Sequence, residues 1–280
     1  MTLGSRPFHA LLRLEVADAL RSRWVTFTAT AYVLVFGAFL WLGLRESSIL
    51  GFTGLSRVVL NVSNAVVLVL PLVALVSTGQ SVVRSRTTGF FELVLTQPCK
   101  RTDWLAAAVV ARLLVIVGPL FVLLLGVLVA GAIGGEEPML ALVARTMLVA
   151  FALSFAYVGL GFYLSSIART PERATVYVLL AWLLGSALHD FALIGVLLKF
   201  RLSPQVVFGL AALNPVESAR LAILSGVDPE LSVLGPVGFW LANTMGPKAA
   251  LGVGVGWPLA LGCLALLGAT RRLEKDDLVG

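Results

Sequence analysis

The chain has 280 residues, of which 59% are hydrophobic and only 13% are charged. Soluble domains have roughly half apolar and a quarter charged residues, so this composition excludes a soluble globular protein and indicates several membrane crossings. The net charge of +6 would favour a nucleic acid as the partner of a soluble protein. Here the basic residues cluster at the ends of apolar segments, as cytoplasmic loops do, and we expect no nucleic-acid binding.

The first element is an amphipathic segment at residues 5–22, in which apolar side chains recur at helical spacing. This pattern predicts a helix that lies in the membrane interface. Two apolar segments follow at residues 24–44 and 58–83, and each exceeds the length of about 20 residues that crosses a bilayer. The second contains asparagine, serine and proline, which need protein partners rather than lipid, so we expect it inside a helix bundle.

A charged segment at residues 84–104 interrupts the apolar sequence after the second span. It carries four basic side chains, a single glutamate and a proline. Charged groups are costly at membrane depth. We therefore expect this segment to lie outside the membrane, where another protein can bind it.

Four more spans are predicted at residues 105–133, 139–167, 174–198 and 249–269, which makes six crossings in total. The acidic turn at residues 134–138 favours an antiparallel pair between the third and fourth spans. Most basic residues collect on one side of the membrane in this topology. The positive-inside rule then places both termini and residues 84–104 in the cytoplasm.

The segment at residues 199–248 is apolar, but prolines interrupt it repeatedly. Its apolar runs are too short to span, so they predict re-entrant or interfacial helices at the outer ends of the bundle. The alternative is an extra pair of short crossings. The sequence predicts a single all-α transmembrane domain over residues 1–280.

Motifs for catalysis are lacking in the sequence. The phosphate loop GxxxxGK[ST] does not occur, and GxGxxG, HExxH and GxSxG do not occur in a suitable context. His189 and Asp190 are the best polar pair for a metal or a proton relay, or else a polar patch between helices. Adjacent residues on a helix point in different directions, which favours the patch. The methionines are too scattered for a copper path, so we expect no metal or other cofactor on this chain.

Several short motifs support a resemblance to a known family. They are GFT at residues 51–53, PLVAL at 71–75, ELVLTQPxxR at 92–101 and LNPVESARL at 213–221. Together with the predicted spans and the amphipathic first helix, they resemble the permease subunit of the type-2 family of ABC exporters. Within that family the resemblance is to the NosY subgroup, which serves maturation of the copper sites of nitrous-oxide reductase.

The resemblance implies a homodimer in the cytoplasmic (inner) membrane of a bacterium or archaeon. Residues 84–104 would dock as a coupling helix on a separate ABC ATPase subunit, which binds ATP and Mg²⁺. The candidate coupling residues are Arg84, Arg86, Glu92, Pro98 and Arg101. Family members commonly carry acidic residues before the glycine at position 89, whereas this chain is basic there, so its ATPase cleft would have to be more acidic than usual.

The NosY subgroup also implies a periplasmic NosD-like protein on the external segment. Asn214, Pro215, Glu217 and Arg220 would then form an external gate or contact that partner. The same residues also fit a turn and a helix start. Two other functions stay open at this point: an exporter of a lipid, drug or polysaccharide, and an integral membrane enzyme acting near His189 and Asp190.

Overall fold

The computed structural model describes residues 6–21, 26–34, 37–38, 67, 69–133, 140–200, 202–227, 235–244 and 246–275. Every regular element within these ranges is helical. In chain order they are α1 (Arg6–Arg21), α2 (26–34), α3 (69–78), α4 (Ser81–Thr87), α5 (Phe90–Leu95), α6 (Arg101–Ile133), α7 (Leu140–Ile167), α8 (Pro171–Trp182), α9 (His189–Lys199), α10 (Pro204–Ala212), α11 (Pro215–Val227), α12 (Gly235–Thr244) and α13 (Gly246–Lys275).

Four helical stretches in the described part of the chain are long and apolar enough to cross a membrane. They are Arg101–Gly126, Leu140–Ile167, Pro171–Lys199 and Gly246–Lys275. These confirm the third to sixth predicted spans as helices, and the chain is a multi-pass membrane protein. Both ends of the first predicted span, the start of the second and the acidic turn lie outside the described residues.

The centre of the bundle is α7, which packs against α6, α11 and α13. Two glycines allow the backbones of α7 and α13 to touch. A Cβ atom on Gly159 would lie 2.7 Å from the carbonyl oxygen of Gly262, and a Cβ on Gly262 would lie 2.9 Å from the carbonyl oxygen of Phe155. Close approach at small residues is how membrane helices gain packing energy without a hydrophobic driving force.

The described part of residues 199–248 is broken into short helices, as the prolines predicted. Helices α10 and α11 meet at a bend of 115°, which is the geometry of a broken span or a re-entrant loop. Pro204 and Pro215 are the first residues of these two helices. The first N–H groups of a helix have no intrahelical acceptor, so a proline, which lacks the N–H, costs no hydrogen bond there.

The fifth span contains an irregularity that the sequence did not predict. Between α8 and α9 the residues Leu183–Leu188 form a π-helical segment. A π segment places an extra residue in the turn, and such segments are frequent at functional sites. It lies beside α11, and the two elements contact each other.

The amphipathic helix α1 lies outside the spans and packs along α6. It buries Phe8, Leu11 and Ala19, while Leu14 and Leu20 are exposed. Ala19 is fully buried, as expected where two helices approach closely.

Candidate functional site

The coupling segment (Arg84 to Trp104) is anchored to the spans at the start of α4. The hydroxyl of Ser165 on α7 accepts hydrogen bonds from the backbone N–H groups of Val82 (3.0 Å) and Val83 (3.2 Å). The first N–H groups of a helix have no intrahelical partner, so a side chain from another helix caps α4. The side chain of Gln80 also donates to the hydroxyl of Thr175 on α8, at 2.7 Å.

Gly89 turns the chain between α4 and α5. Its φ of 72° lies in the left-handed region, which a residue without a Cβ adopts at little cost. The N–H groups of Thr88 and Gly89 donate to the carbonyl oxygens of Arg84 and Arg86, which satisfies the end of α4. The glycine therefore fixes the angle at which α5 leaves α4.

Behind α5 lies a cluster of buried side chains that we name the Trp104 junction: Glu15, Phe91, Trp104 and Phe162. The ring of Trp104 meets that of Phe91 edge-on at 4.7 Å between centroids, and that of Phe162 at 6.4 Å. The indole Nε1–H donates to Oε1 of Glu15 at 2.8 Å. Since these residues belong to α1, α5, α6 and α7, the junction connects the coupling segment to two spans and to α1.

Glu15 is a carboxyl group in a nearly closed environment, with 8% of its surface exposed. Burial raises its pKa, while the hydrogen bond from Trp104 and the positive charge of Arg112 act in the opposite direction. The carboxyl is therefore held by one strong donor and one nearby charge. Glu15 did not stand out in the sequence, because an acidic residue is ordinary in an amphipathic helix.

The other face of α5 is open. Glu92, Thr96 and Pro98 are exposed, and Leu93 is 70% exposed. We name Glu92 and Leu93 of α5, with Thr96 and Pro98 of the turn that follows, the exposed face of α5; it presents a carboxylate beside an apolar side chain. It is available to a partner protein, and Leu93 is a residue that the sequence analysis missed.

The structure separates the five predicted coupling residues. Arg84, Glu92 and Pro98 are exposed, and Arg86 is partly buried. Arg101 instead turns toward the last span, because its guanidinium donates to the carbonyl oxygen of Leu273 at 2.6 Å. Arg101 therefore ties the coupling segment to the end of α13.

At the start of α11, Asn214 makes two hydrogen bonds, one as an acceptor and one as a donor. Its Oδ1 accepts from the N–H of Val216 at 2.9 Å, which caps α11, and its Nδ2 donates to the carbonyl oxygen of Gly185 at 2.6 Å. Gly185 lies in the π segment. The predicted turn and helix start at Asn214 and Pro215 are confirmed. The same asparagine also holds α11 against the π segment of the fifth span.

Arg220 and its partners form a polar group on the same side of α11. Its guanidinium donates to Glu217 at 2.5 Å and lies 3.9 Å from a carboxylate oxygen of Asp190. Asp190 therefore faces an arginine, while the Nε2 of His189 is buried with no hydrogen-bond partner in the described part of the chain. The described residues contain no group of three or more His, Cys, Asp and Glu side chains that could hold a metal.

Arg145 links α7 to α11 and to the start of α13. Its guanidinium donates to the hydroxyl of Ser225 at 2.7 Å, to the carbonyl oxygen of Pro247 at 2.8 Å and to that of Ala222. Gly226 lies against the same side chain, since a Cβ there would fall 2.6 Å from Cδ of Arg145. A partly buried arginine between apolar helices is thus satisfied by three acceptors.

Comparison with known proteins adds a family and two relatives. The family model described as "ABC-2 family transporter protein" matches residues 9–278. A Pseudomonas aeruginosa protein named "Probable ABC transporter permease protein NosY" is 29% identical over 229 residues, which cover 78% of this chain and 82% of the relative. A Stutzerimonas stutzeri protein of the same name is 26% identical over 234 residues, which cover 80% of this chain and 84% of the relative.

Proposed function

The chain belongs to the ABC-2 family of transporter proteins, and we propose that it is the permease subunit that receives the motion of a separate ABC ATPase through the coupling segment. In this proposal the ATPase binds ATP and Mg²⁺ and contacts the exposed face of α5. Two copies of the permease form the membrane part. Since the family consists of transporter subunits, the alternative of a membrane enzyme near His189 and Asp190 is not retained.

The observation that carries this proposal is the Trp104 junction. The exposed face of α5 is joined through the buried rings of Phe91 and Trp104 to Phe162, in the middle of the bundle. Closely packed interiors transmit displacement because they have little free volume. A push on α5 would therefore reach α7 and, through the glycine contact, α13.

Hydrogen bonds at the start of α4 also support the proposal that the coupling segment passes motion to the spans. Ser165 and Thr175 hold α4 and the residue before it to α7 and α8. The coupling segment is consequently attached to the bundle at both ends, since Arg101 binds the end of α13. A segment anchored in this way moves with the spans rather than independently of them.

For the finer role, we propose that the chain serves maturation of the copper centre of nitrous-oxide reductase, as its resemblance to the NosY subgroup implies. The support is the similarity to two NosY proteins over about four-fifths of the chain. Residues 199–248 would contact a periplasmic NosD-like protein, with Asn214, Pro215, Glu217 and Arg220 as gate or contact positions. The protein would lie in the cytoplasmic membrane with both termini in the cytoplasm.

The coupling proposal is tested by co-expressing the chain with the ATPase encoded beside it. Glu92→Lys and Leu93→Asp change the exposed face of α5 without touching the Trp104 junction. We expect both variants to fold and to lose co-purification of the ATPase and its permease-dependent ATP hydrolysis. Arg13→Glu, a charge reversal on an exposed face of α1, is the matched control and should retain both.

Unchanged co-purification and hydrolysis in both α5 variants would exclude this face as the docking site. The copper role is tested separately in a strain that lacks this gene. Nitrous-oxide reductase from that strain should lack copper, and complementation with the wild-type chain should restore it. Full copper loading without the gene would refute the maturation role and leave the permease assignment intact.

A further inference from the structure

A cleft of about 580 Å³ lies between α1, the α3–α4 region and α6, beside the coupling segment. This volume falls in the usual range of small-molecule sites, roughly 300–1,000 Å³. Its walls combine apolar, hydroxyl and charged side chains from these elements. None of the residues proposed for the external gate reaches it.

Charges of both signs face this cleft. Arg84 and Arg112 line it from α4 and α6, and Glu15 and Asp18 line it from α1. The Nε–H of Arg112 is buried and has no hydrogen-bond partner in the described part of the chain. A buried donor without an acceptor is costly, so a ligand that supplies an acceptor there would gain affinity.

The remaining polar groups suit a phosphate. Ser81 and Ser85 lie four residues apart on α4, so their hydroxyls share one face of this helix, while the hydroxyl of Ser77 donates to the carbonyl oxygen of Ala74. Arginine and hydroxyl donors together are typical phosphate ligands. Of the carboxylates of α1, Glu15 already accepts a hydrogen bond from Trp104, whereas Asp18 is exposed, so an ammonium group would suit Asp18.

The position of the cleft favours a lipid over a soluble ligand. It borders the amphipathic helix α1, and a helix of this kind is expected at the membrane interface, where phospholipid headgroups lie. Leu14 lines the cleft and is 51% exposed, and Val76 gives the span side an apolar surface. Acyl chains could leave the cleft past these two residues into the bilayer.

We propose that this cleft binds the phosphoethanolamine headgroup of a membrane phospholipid. Arg84 and Arg112 contact the phosphodiester, and Asp18 accepts a hydrogen bond from the primary ammonium. The bound lipid bridges α1 to α4 and so steadies the coupling segment. This assignment goes beyond the proposed permease function and does not depend on it.

The test is native mass spectrometry of the purified full-length protein with phosphatidylethanolamine, phosphatidylcholine and phosphatidylglycerol of identical acyl chains. We expect phosphatidylethanolamine to be retained most strongly, because phosphatidylcholine has no ammonium hydrogens and phosphatidylglycerol has no cation. Arg112→Gln and Asp18→Asn should each lower this retention about tenfold, the effect of losing one charge-assisted hydrogen bond. Arg13→Gln, an exposed arginine of α1 outside the cleft, should leave it unchanged.

Ser85→Leu is a second variant in case Arg112→Gln does not fold. Its larger side chain fills the cleft without removing a charge, so it should abolish retention of phosphatidylethanolamine. Equal retention of the three lipids, or retention unaffected by these substitutions, would overturn the proposal. Stronger retention of phosphatidylglycerol would overturn the ammonium site. Glycerophosphoethanolamine, the headgroup without acyl chains, is the soluble arm, and binding as tight as that of the lipid would overturn the membrane origin of the ligand.

Discussion

The hydrogen bond between Trp104 and Glu15 gives the sharpest prediction. Trp104→Phe keeps an aromatic ring against Phe91 and Phe162 but removes the donor to a carboxyl that is only 8% exposed. A buried polar group that loses its partner costs about 1–3 kcal/mol. We therefore expect the free energy of unfolding in detergent micelles to fall by about this amount, measured by chemical denaturation with circular dichroism.

The same substitution should change the pH dependence of stability. Burial raises the pKa of Glu15 in the folded protein, and the Trp104 hydrogen bond opposes that rise. A raised pKa contributes stability that is present at low pH and is lost as pH rises through the folded-state value. Without the donor the pKa rises further, so Trp104→Phe should lose more stability relative to wild type at neutral pH than at acidic pH.

A double-mutant cycle isolates the pair. Glu15→Met removes the acceptor, and the double variant replaces both partners by apolar groups, which can be nearly neutral. The double variant should therefore be more stable than the sum of the two single losses predicts. Additive losses, or a Trp104→Phe protein as stable as wild type at every pH, would refute the role assigned to this bond.

Two further predictions concern the anchors. Ser165→Ala removes the acceptor for the first N–H groups of α4, so amide exchange at Val82 should accelerate and stability should fall by about 1–2 kcal/mol; protection equal to wild type would contradict the cap. Asn214→Ser keeps a side-chain acceptor for the cap of α11 but loses the donor to the Gly185 carbonyl, whereas Asn214→Ala loses both bonds. Thermal unfolding should therefore rank wild type above Asn214→Ser and Asn214→Ser above Asn214→Ala, and equal stability of the two variants would show that the cap contributes nothing.

The sequence predicted the long spans well because their signal is local. Apolar length alone placed the fourth span at residues 139–167, and the helix is Leu140–Ile167. The coupling segment was equally visible, since its charges stand out against lipid-soluble neighbours. The boundaries of such segments depend on local composition, which the sequence contains completely.

The contacts between distant residues could not be predicted in the same way. Periodicity gives the faces of a helix but not which face meets which neighbour, so the pair of Glu15 and Trp104 was invisible. Arg101 illustrates the consequence, because its charge indicated a partner protein while its guanidinium binds Leu273 of the same chain. The Arg220–Asp190 pair was missed for the same reason, as the two residues lie on different helices.

The π segment at Leu183–Leu188 absorbs one extra residue in a widened turn of the fifth span. Each residue of a regular α-helix advances the direction of its side chains by about 100°, so the same residues wound as a regular helix would rotate α9 by that angle. Asp190 would then turn away from Arg220. The widened turn thus accommodates one more residue while it keeps Asp190 on the side of the helix that faces α11.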